Sequence, residues 1–189
     1  MTRDPTPTSA EVAARVDGAL RGPVAKALKR KRPLPASSIE DIQLGAVHHP
    51  EPEMRRWCLF LLDHYANDES MSVFATALTD EVPIVRDVAL HSIACEPCKD
   101  GELCVADAVT PVVRLLAGDP EASLRIKAIG VLLRLAGRDG RAGEALRWAA
   151  RNDPDRLVRE CAQHAVEGRW VPPKKRYERS QRRHAAVHH

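Results

Sequence analysis

The sequence predicts an all-α fold arranged as a solenoid of about four helical hairpins. Two observations predict it: a local residue pattern that recurs four times, and a composition that is 44% hydrophobic but only 4% aromatic. Repeats of roughly 30–45 residues in a helix-favouring chain are typical of helical solenoids, in which each repeat packs on its neighbours. The scarcity of aromatic residues suits helices that pack closely through Leu, Ala and Val.

The recurring pattern has an acidic or polar first residue, an Arg six positions later and a small residue nine positions later. Its copies begin at His49, Asp80, Asp119 and Asp153, carry Arg55, Arg86, Arg125 and Arg159, and end at Cys58, Ala89, Ala128 and Ala162. The arginines are 31, 39 and 34 residues apart. We expect the Asp and Arg side chains to pair between neighbouring repeats, a structural role that sets the register of the stack.

Residues 1–35 are predicted to form a basic N-terminal arm that is only partly helical. Residues 10–20 and 24–31 favour helix, but Gly18, Gly22 and Pro23 interrupt them. The repeat region then begins at residue 36. Ser37 and Ser38, followed by Glu40 and Asp41, predict a capping box at the start of a helix that ends near Val47.

The remaining helices follow from the apolar spacing and from stop signals. They are predicted to span residues 51–65, 70–79, 82–94, 105–117, 121–136, 143–151 and 155–166. Asp119 and Asp153 are each followed by proline, so we expect them to be N-caps of the next helix. Pro111 is expected to kink the helix that contains it. Eight helices in four hairpins therefore occupy residues 36–168.

This pattern resembles the HEAT repeat family, whose second helix carries Asp and Arg at this spacing. The resemblance covers residues 36–168, and the copies that begin at Asp119 and Asp153 match best. The first copy departs by having His49 in the Asp position, and the second by having Pro83 three residues after Asp80. The resemblance implies a right-handed αα solenoid of the armadillo type. It implies no single activity, because HEAT-type chains include scaffolds, transport adaptors, bilin lyases and alkylpurine DNA glycosylases.

Charge is divided unevenly along the chain. Residues 1–35 carry a net charge of +5, residues 36–168 carry −8 and residues 169–189 carry +6. The last segment is predicted to be a flexible basic tail. Basic segments that contain aromatic residues suit nucleic acid or another polyanion, because cations meet phosphates while aromatic rings stack on bases. The candidate residues are Lys29, Arg30, Lys31, Arg32, Trp170, Lys174, Lys175, Arg176, Tyr177, Arg179, Arg182 and Arg183. The alternative is that both segments only solubilise the protein or associate with its own acidic body.

A cluster of potential metal ligands lies where the repeat spacing is longest. His91, Cys95, Cys98 and Cys104 supply one imidazole and three thiols, which suffice to close a tetrahedral structural zinc site. Free surface thiols and a redox-responsive pair at Cys95 and Cys98 are the other two interpretations. Cys58 and Cys161 are predicted to pack in the core. Trp57 and Trp148, on helices, are also predicted to pack rather than to bind.

The sequence favours an interaction protein over an enzyme. It contains no glycine-rich phosphate loop, no G-x-S-x-G and no H-E-x-x-H, and no catalytic residues stand out. The preferred hypothesis is a non-enzymatic scaffold or adaptor that binds a protein partner. The alternative is a nucleic-acid-associated protein that binds through its basic arms, including an enzyme of the HEAT-like DNA-repair type.

The expected environment follows from what the sequence lacks. The chain contains no run of 18 apolar residues, so we expect no membrane span. Met1–Ala10 has no apolar run typical of a secretory signal. Five cysteines without an export signal indicate a reducing compartment. The sequence therefore predicts a cytoplasmic protein.

Overall fold

The computed structural model describes residues 7–30, 32–65, 70–94 and 108–170, and all regular structure in these ranges is helical. The helices are α1 (Ser9–Ala19), a π-helical turn (Leu20–Val24), α2 (Ala25–Lys29), α3 (Ala36–His48), α4 (Pro52–Tyr65), α5 (Ser70–Ala77), α6 (Pro83–Ala94), α7 (Val109–Gly118), α8 (Ala122–Leu135), α9 (Gly140–Asn152) and α10 (Arg156–Val166). The predicted all-α class is confirmed. None of the described helices is long and apolar enough to cross a bilayer.

The helices pack as hairpins that stand side by side. Within each hairpin, α3 packs on α4, α5 on α6, α7 on α8 and α9 on α10. Between hairpins, the second helices form a continuous row, since α4 packs on α6, α6 on α8 and α8 on α10. The first helices form the other layer, in which α3 contacts both α1 and α5, and α7 contacts α9. The core lies between these two layers.

The small residue of each repeat is buried between these helices. Cys58, Ala89, Ala128 and Ala162 are all fully buried. A small side chain at this position lets neighbouring helices approach closely, so that the larger residues beside it fill the core. The next residue is Leu59, Leu90 and Ile129 in the first three repeats, and each of these side chains is also fully buried. The spacing of the pattern therefore corresponds to a buried helical face.

The N-terminal segment is part of this core. Val12 and Val16 of α1 are fully buried, and α1 packs on α3. A Cβ atom placed on Gly45 of α3 would lie 2.6 Å from Cγ2 of Val16 and 2.9 Å from Sγ of Cys58, so the two helices and α4 meet where only glycine fits. Residues 9–29 thus join the helical stack, whereas the sequence had suggested an arm outside it.

Proline and glycine interrupt this N-terminal helix less than expected. A π-helical turn over Leu20–Val24 contains Pro23 and continues directly into α2. A proline lacks the N–H that an α-helix requires and its ring needs extra space, and a wider turn accommodates both within a continuing helix. The predicted break between residues 20 and 24 is therefore a local widening of the helix.

Two other predicted boundary signals, the capping box at Ser37 and Ser38 and the kink at Pro111, were wrong. The capping box forms between Thr8 and Glu11 at the start of α1, whereas α3 begins without a side-chain cap and Ser38 is buried. α7 begins at Val109, so Pro111 lies in its first turn, where a missing N–H is tolerated and no kink is required. The predicted start of this helix near residue 105 lies outside the described residues.

The two predicted N-cap aspartates lie two residues before the actual N-caps of the helices that they were expected to cap. Asp119 and Asp153 follow α7 and α9 directly, and the N-caps of α8 and α10 are Glu121 and Asp155. Each predicted cap accepts a hydrogen bond of 2.9 Å from the backbone N–H two residues later. This is an Asx turn, in which a short carboxylate closes a tight turn between two helices.

Candidate interaction surface

Buried ion pairs connect each described hairpin to the next, and we call them the Arg–Asp ladder. Arg55 binds Asp80 through Nε and Nη2 at 2.6 and 3.0 Å. The corresponding distances are 2.7 and 2.9 Å from Arg86 to Asp119, and both are 2.9 Å from Arg125 to Asp153. In each pair, the Arg of one repeat binds the Asp of the following repeat with two parallel hydrogen bonds.

The third nitrogen of each ladder arginine binds its own repeat. Nη1 donates to the backbone oxygens of the residues six and five positions earlier, at 2.6–2.8 and 3.0–3.4 Å. The guanidinium group therefore joins the turn of its own hairpin to the turn of the next. The hydrogen bonds that Arg55 and Arg125 donate to the carboxylates of Asp80 and Asp153 raise the pKa values of both arginines, although burial opposes this shift. These arginines stay charged at every physiological pH.

His49 occupies the first position of the ladder, where the other repeats have Asp. Its Nδ1 accepts a hydrogen bond of 3.1 Å from the N–H of Glu51, the same turn contact that Asp80 makes with Val82 at 2.8 Å. A ring nitrogen that accepts this bond carries no proton. Among the described residues, no ladder arginine of an earlier repeat lies beside position 49. A histidine can therefore replace the aspartate in closing this turn.

An exposed aromatic cluster lies on α4, on the side that faces away from the core. Trp57 and Phe60 are 50% and 49% exposed, and their rings meet edge to face with centroids 5.6 Å apart. Phe60 also contacts the ring of His64 at 4.7 Å, and the guanidinium carbon of Arg56 lies 5.7 Å from the ring centre of Trp57. We call these four residues the α4 aromatic cluster. The prediction that Trp57 packs in the protein was wrong.

The positions that correspond to this cluster on α6, α8 and α10 form a surface along the second helices. Lys127 of α8 crosses to Asp87 of α6 at 2.6 Å, and His91 of α6 lies 3.5 Å from the buried carboxylate of Asp63 on α4. The polar contacts join the outer sides of three consecutive helices. The α4 aromatic cluster lies at one end of this surface.

Trp170 packs against this same surface. Gly168, with φ of 70°, ends the turn after α10, and the indole ring of Trp170 then lies beside Gly130 on α8. A Cβ atom on Gly130 would be 3.6 Å from the ring, which is ordinary contact. The ring is partly buried against the core. Trp170 was predicted within a flexible basic tail as a base-stacking residue; in the structure its ring belongs to the folded part.

The structure describes only some of the other predicted binding residues. Lys29, Arg30 and Arg32 follow the end of α2 or lie on its last turn, and all three are exposed. The rest of that set lies outside the described residues: Lys31, Lys174, Lys175, Arg176, Tyr177, Arg179, Arg182 and Arg183. Arg15 and Arg21, by contrast, are paired with Asp41 and Asp17.

One of the four predicted zinc ligands is described. His91 lies on α6 with its ring half exposed and its Nε2 toward Asp63. Cys95, Cys98 and Cys104 lie outside the described residues, so the zinc site stays a prediction. A carboxylate that holds one ring nitrogen of a histidine is the usual support for a metal bond from the other nitrogen. The described residues by themselves hold no group of three potential metal ligands.

A shallow groove lies between α7 and α9 on the opposite layer. It has a volume of about 490 Å³, and Val113, Ala145 and Trp148 supply apolar walls. Arg141 crosses it to donate to the hydroxyl of Thr110 at 2.9 Å. Trp148 is 44% exposed, so the prediction that it packs was also wrong. The two exposed tryptophans thus lie on opposite layers.

Comparison with known proteins returned no relative: no protein-family model, curated protein or solved structure matches the chain.

Proposed function

We propose that this protein is a non-enzymatic scaffold or adaptor of the HEAT-repeat kind, a right-handed αα solenoid that binds a protein partner through the α4 aromatic cluster. The observation that carries the proposal is the exposure of two large aromatic side chains, Trp57 and Phe60, in contact with each other. Aromatic residues and arginine dominate the binding energy of protein interfaces, where they act as anchors surrounded by polar residues.

The arrangement of the cluster supports an anchor rather than a loosely packed surface. Trp57, Phe60 and His64 recur at intervals of three and four residues, so one face of α4 presents all three rings. Arg56 stacks beside the indole and supplies a cation next to it. The polar contacts of α6 and α8 form a rim on one side. A partner with an exposed apolar segment fits this combination.

The proposal is tested by comparing two substituted proteins in affinity capture from an extract treated with nuclease. Trp57→Ala/Phe60→Ala removes the anchor, and Trp148→Ala removes an equally exposed tryptophan from the other layer. We expect the same defined proteins to be retained by the unsubstituted chain and by Trp148→Ala, and to be lost from the double variant. Retention of every protein by the double variant would contradict the proposal.

A second candidate function is binding of a polyanion. Lys26, Lys29, Arg30 and Arg32 are exposed at the end of α2, and none of them forms an ion pair with a described residue. Such clusters attract phosphates, and the affinity then falls steeply as the salt concentration rises, because releasing counterions into a more concentrated solution gains less entropy. Single-stranded nucleic acid binding, measured by anisotropy at several salt concentrations, tests this. Lys29→Gln/Arg30→Gln/Arg32→Gln and deletion of residues 171–189 should each reduce the affinity and the salt slope.

A further inference from the structure

Among the described residues, Arg159 is the last arginine of the Arg–Asp ladder, and it has the backbone contacts of the other ladder arginines without their carboxylate. Its Nη1 donates to the backbone oxygens of Asp153 at 2.6 Å and Pro154 at 3.0 Å. No carboxylate of the described residues lies within ion-pair distance of its guanidinium group. The side chain of Arg159 is partly exposed, whereas the other three ladder arginines are buried.

The acidic side chains next to Arg159 are already engaged elsewhere. The carboxylate of Asp155 accepts from the N–H groups of Leu157 and Val158 at 2.7 and 3.1 Å, as the N-cap of α10. Glu160 is paired with Arg156 at 2.7 Å. Backbone oxygens of its own hairpin therefore hold the guanidinium group of Arg159 in place, but no carboxylate of that hairpin binds its Nε and Nη2.

The helix that carries Arg159 also has an incompletely covered face. The residue four positions after the ladder arginine is fully buried in the first three repeats, as Leu59, Leu90 and Ile129. In α10 this residue is the exposed Gln163. The residue seven positions after the arginine is Leu62, Ile93 and Leu132, all buried, whereas Val166 of α10 is 43% exposed. The face that receives the next hairpin elsewhere in the stack is therefore incompletely covered by the described residues at α10.

We propose that this end of the stack is a docking site for an acidic residue of a partner protein. The carboxylate would bind Nε and Nη2 of Arg159 as Asp80, Asp119 and Asp153 bind the other ladder arginines. In all three complete pairs, the group bound by Nε and Nη2 of the arginine is a carboxylate. Because the backbone contacts already orient Arg159, the carboxylate meets a preorganised planar donor pair. Val166 supplies apolar contact area beside it.

A partner protein fits this site better than a second copy of the chain or its own last segment. A second copy that continued the stack would present its first turn, where His49 stands in place of Asp and its Nδ1 is already occupied by Glu51. A histidine cannot offer two oxygens to a guanidinium group. Residues 171–189 contain one acidic residue, Glu178, in an otherwise basic sequence.

The test uses the full chain with the substitution Arg159→Lys. An extract of the cells that produce this variant is treated with a water-soluble carbodiimide. This reagent joins an amine to a carboxylate that it touches, and mass spectrometry identifies the joined residues. The matched control is Arg151→Lys on α9, an exposed arginine outside the ladder. We expect an amide bond between the introduced lysine and an Asp or Glu of another protein in the first variant and not in the control.

The affinity of the protein identified in this way is then measured with purified full-length chains. Arg159→Gln should weaken binding about 10- to 100-fold, the loss typical of a charged hydrogen-bonded contact, while Arg151→Gln should change it less than about twofold. Three outcomes would each overturn the proposal. They are coupling only within the chain, including to Glu178, coupling to a second copy, and no coupling at position 159. The result is independent of the α4 aromatic cluster, because Trp57→Ala/Phe60→Ala leaves this site intact.

Discussion

At the scale of single residues, most of the specificity of the fold lies in the Arg–Asp ladder. Each complete rung combines a charged pair, a turn contact and two backbone contacts, as Arg86 shows with Asp119 and with the oxygens of Asp80 and Glu81. Buried ion pairs add little net stability relative to apolar residues, but loss of one partner leaves the other charge buried and is costly. The rungs therefore fix which turns meet.

We expect Arg86→Ala to lower the free energy of unfolding by about 3–5 kcal/mol, because the carboxylate of Asp119 is left buried without a cation. Arg159→Ala removes only contacts to backbone oxygens and should cost about 1–2 kcal/mol. Urea unfolding of both variants measures the difference. Equal losses would show that the carboxylate contact contributes nothing to the rung.

The reactivity of Cys58 follows from its position in the small-residue column. Burial raises the pKa of this thiol from 9.0 to about 12, so at pH 8 it is almost wholly protonated. We expect a thiol reagent to label Cys58 only after unfolding in urea, and to label the partly exposed Cys161 earlier. Peptide mapping of the labelled chain separates the sites. Labelling of Cys58 at the same rate in the folded and unfolded protein would contradict its burial.

The same shift has a defined sign for stability. The folded-state pKa of Cys58 lies above the value of the free thiol, so the protonated form favours folding below about pH 9, and this contribution is lost as the pH rises toward 12.

At the scale of helices, the contact between α1 and α3 shows how closely the elements approach. Gly45 lies on α3 where Val16 of α1 and Cys58 of α4 converge, and all three residues are buried. Glycine costs helix stability in most positions, but here a side chain would overlap atoms that have little room to move. Close approach at this point joins the N-terminal helices to the first hairpin.

We expect Gly45→Ala to destabilise the protein by about 1–3 kcal/mol, because overlap at 2.6 and 2.9 Å outweighs the helix propensity of alanine. Gly143→Ala on α9 is the control, since the only side-chain atom near its Cβ is the mobile Nη1 of Arg147 at 3.4 Å. That substitution should stabilise the protein by about 0.5–1 kcal/mol. A gain in melting temperature for both variants would refute the tight contact.

At the scale of the whole molecule, the buried residues of the described helices form one continuous core from α1 to α10. Val12, Val16 and Val24 belong to the same group of buried residues as Val158 and Ala165 at the other end. Stability of such a stack depends on every neighbouring interface, because no hairpin buries its apolar face alone. The N-terminal helices therefore contribute to the stability of the repeats that follow.

Two substitutions in residues 1–35 test this continuity. Val16→Asp places a charge in the core and should lower the free energy of unfolding by more than about 3 kcal/mol or prevent folding. Leu28→Asp changes an exposed residue of the same segment and should alter stability by less than about 0.5 kcal/mol. Thermal unfolding monitored by circular dichroism distinguishes them. A neutral Val16→Asp would mean that the segment stands outside the fold.

The helical class, the pairing of helices into hairpins and the register of the repeats all follow from local patterns. The interval from Asp to Arg to the small residue recurs in the sequence, and a helix converts that interval into a face with a defined position in the turn. Arg125 and Ala128 illustrate this: their interval of three residues puts both on one side of α8, where Arg125 binds Asp153 and Ala128 is buried. Helix ends were less predictable. In an Asx turn, as in an N-cap, the carboxylate of Asp119 accepts a hydrogen bond from a backbone N–H a few residues later, so the sequence alone does not distinguish the two roles.

What only the tertiary structure decided is which surfaces another part of the chain covers. Trp57 and Cys58 are adjacent in sequence, yet one is half exposed and the other fully buried, because Cys58 faces Gly45 of α3 and Trp57 points away from the core. Arg159 repeats the sequence environment of Arg125, and its free edge is visible only where the stack of described hairpins ends. Burial depends on neighbours distant in sequence, so the local patterns define faces while the assembled molecule determines which of them remain available for binding.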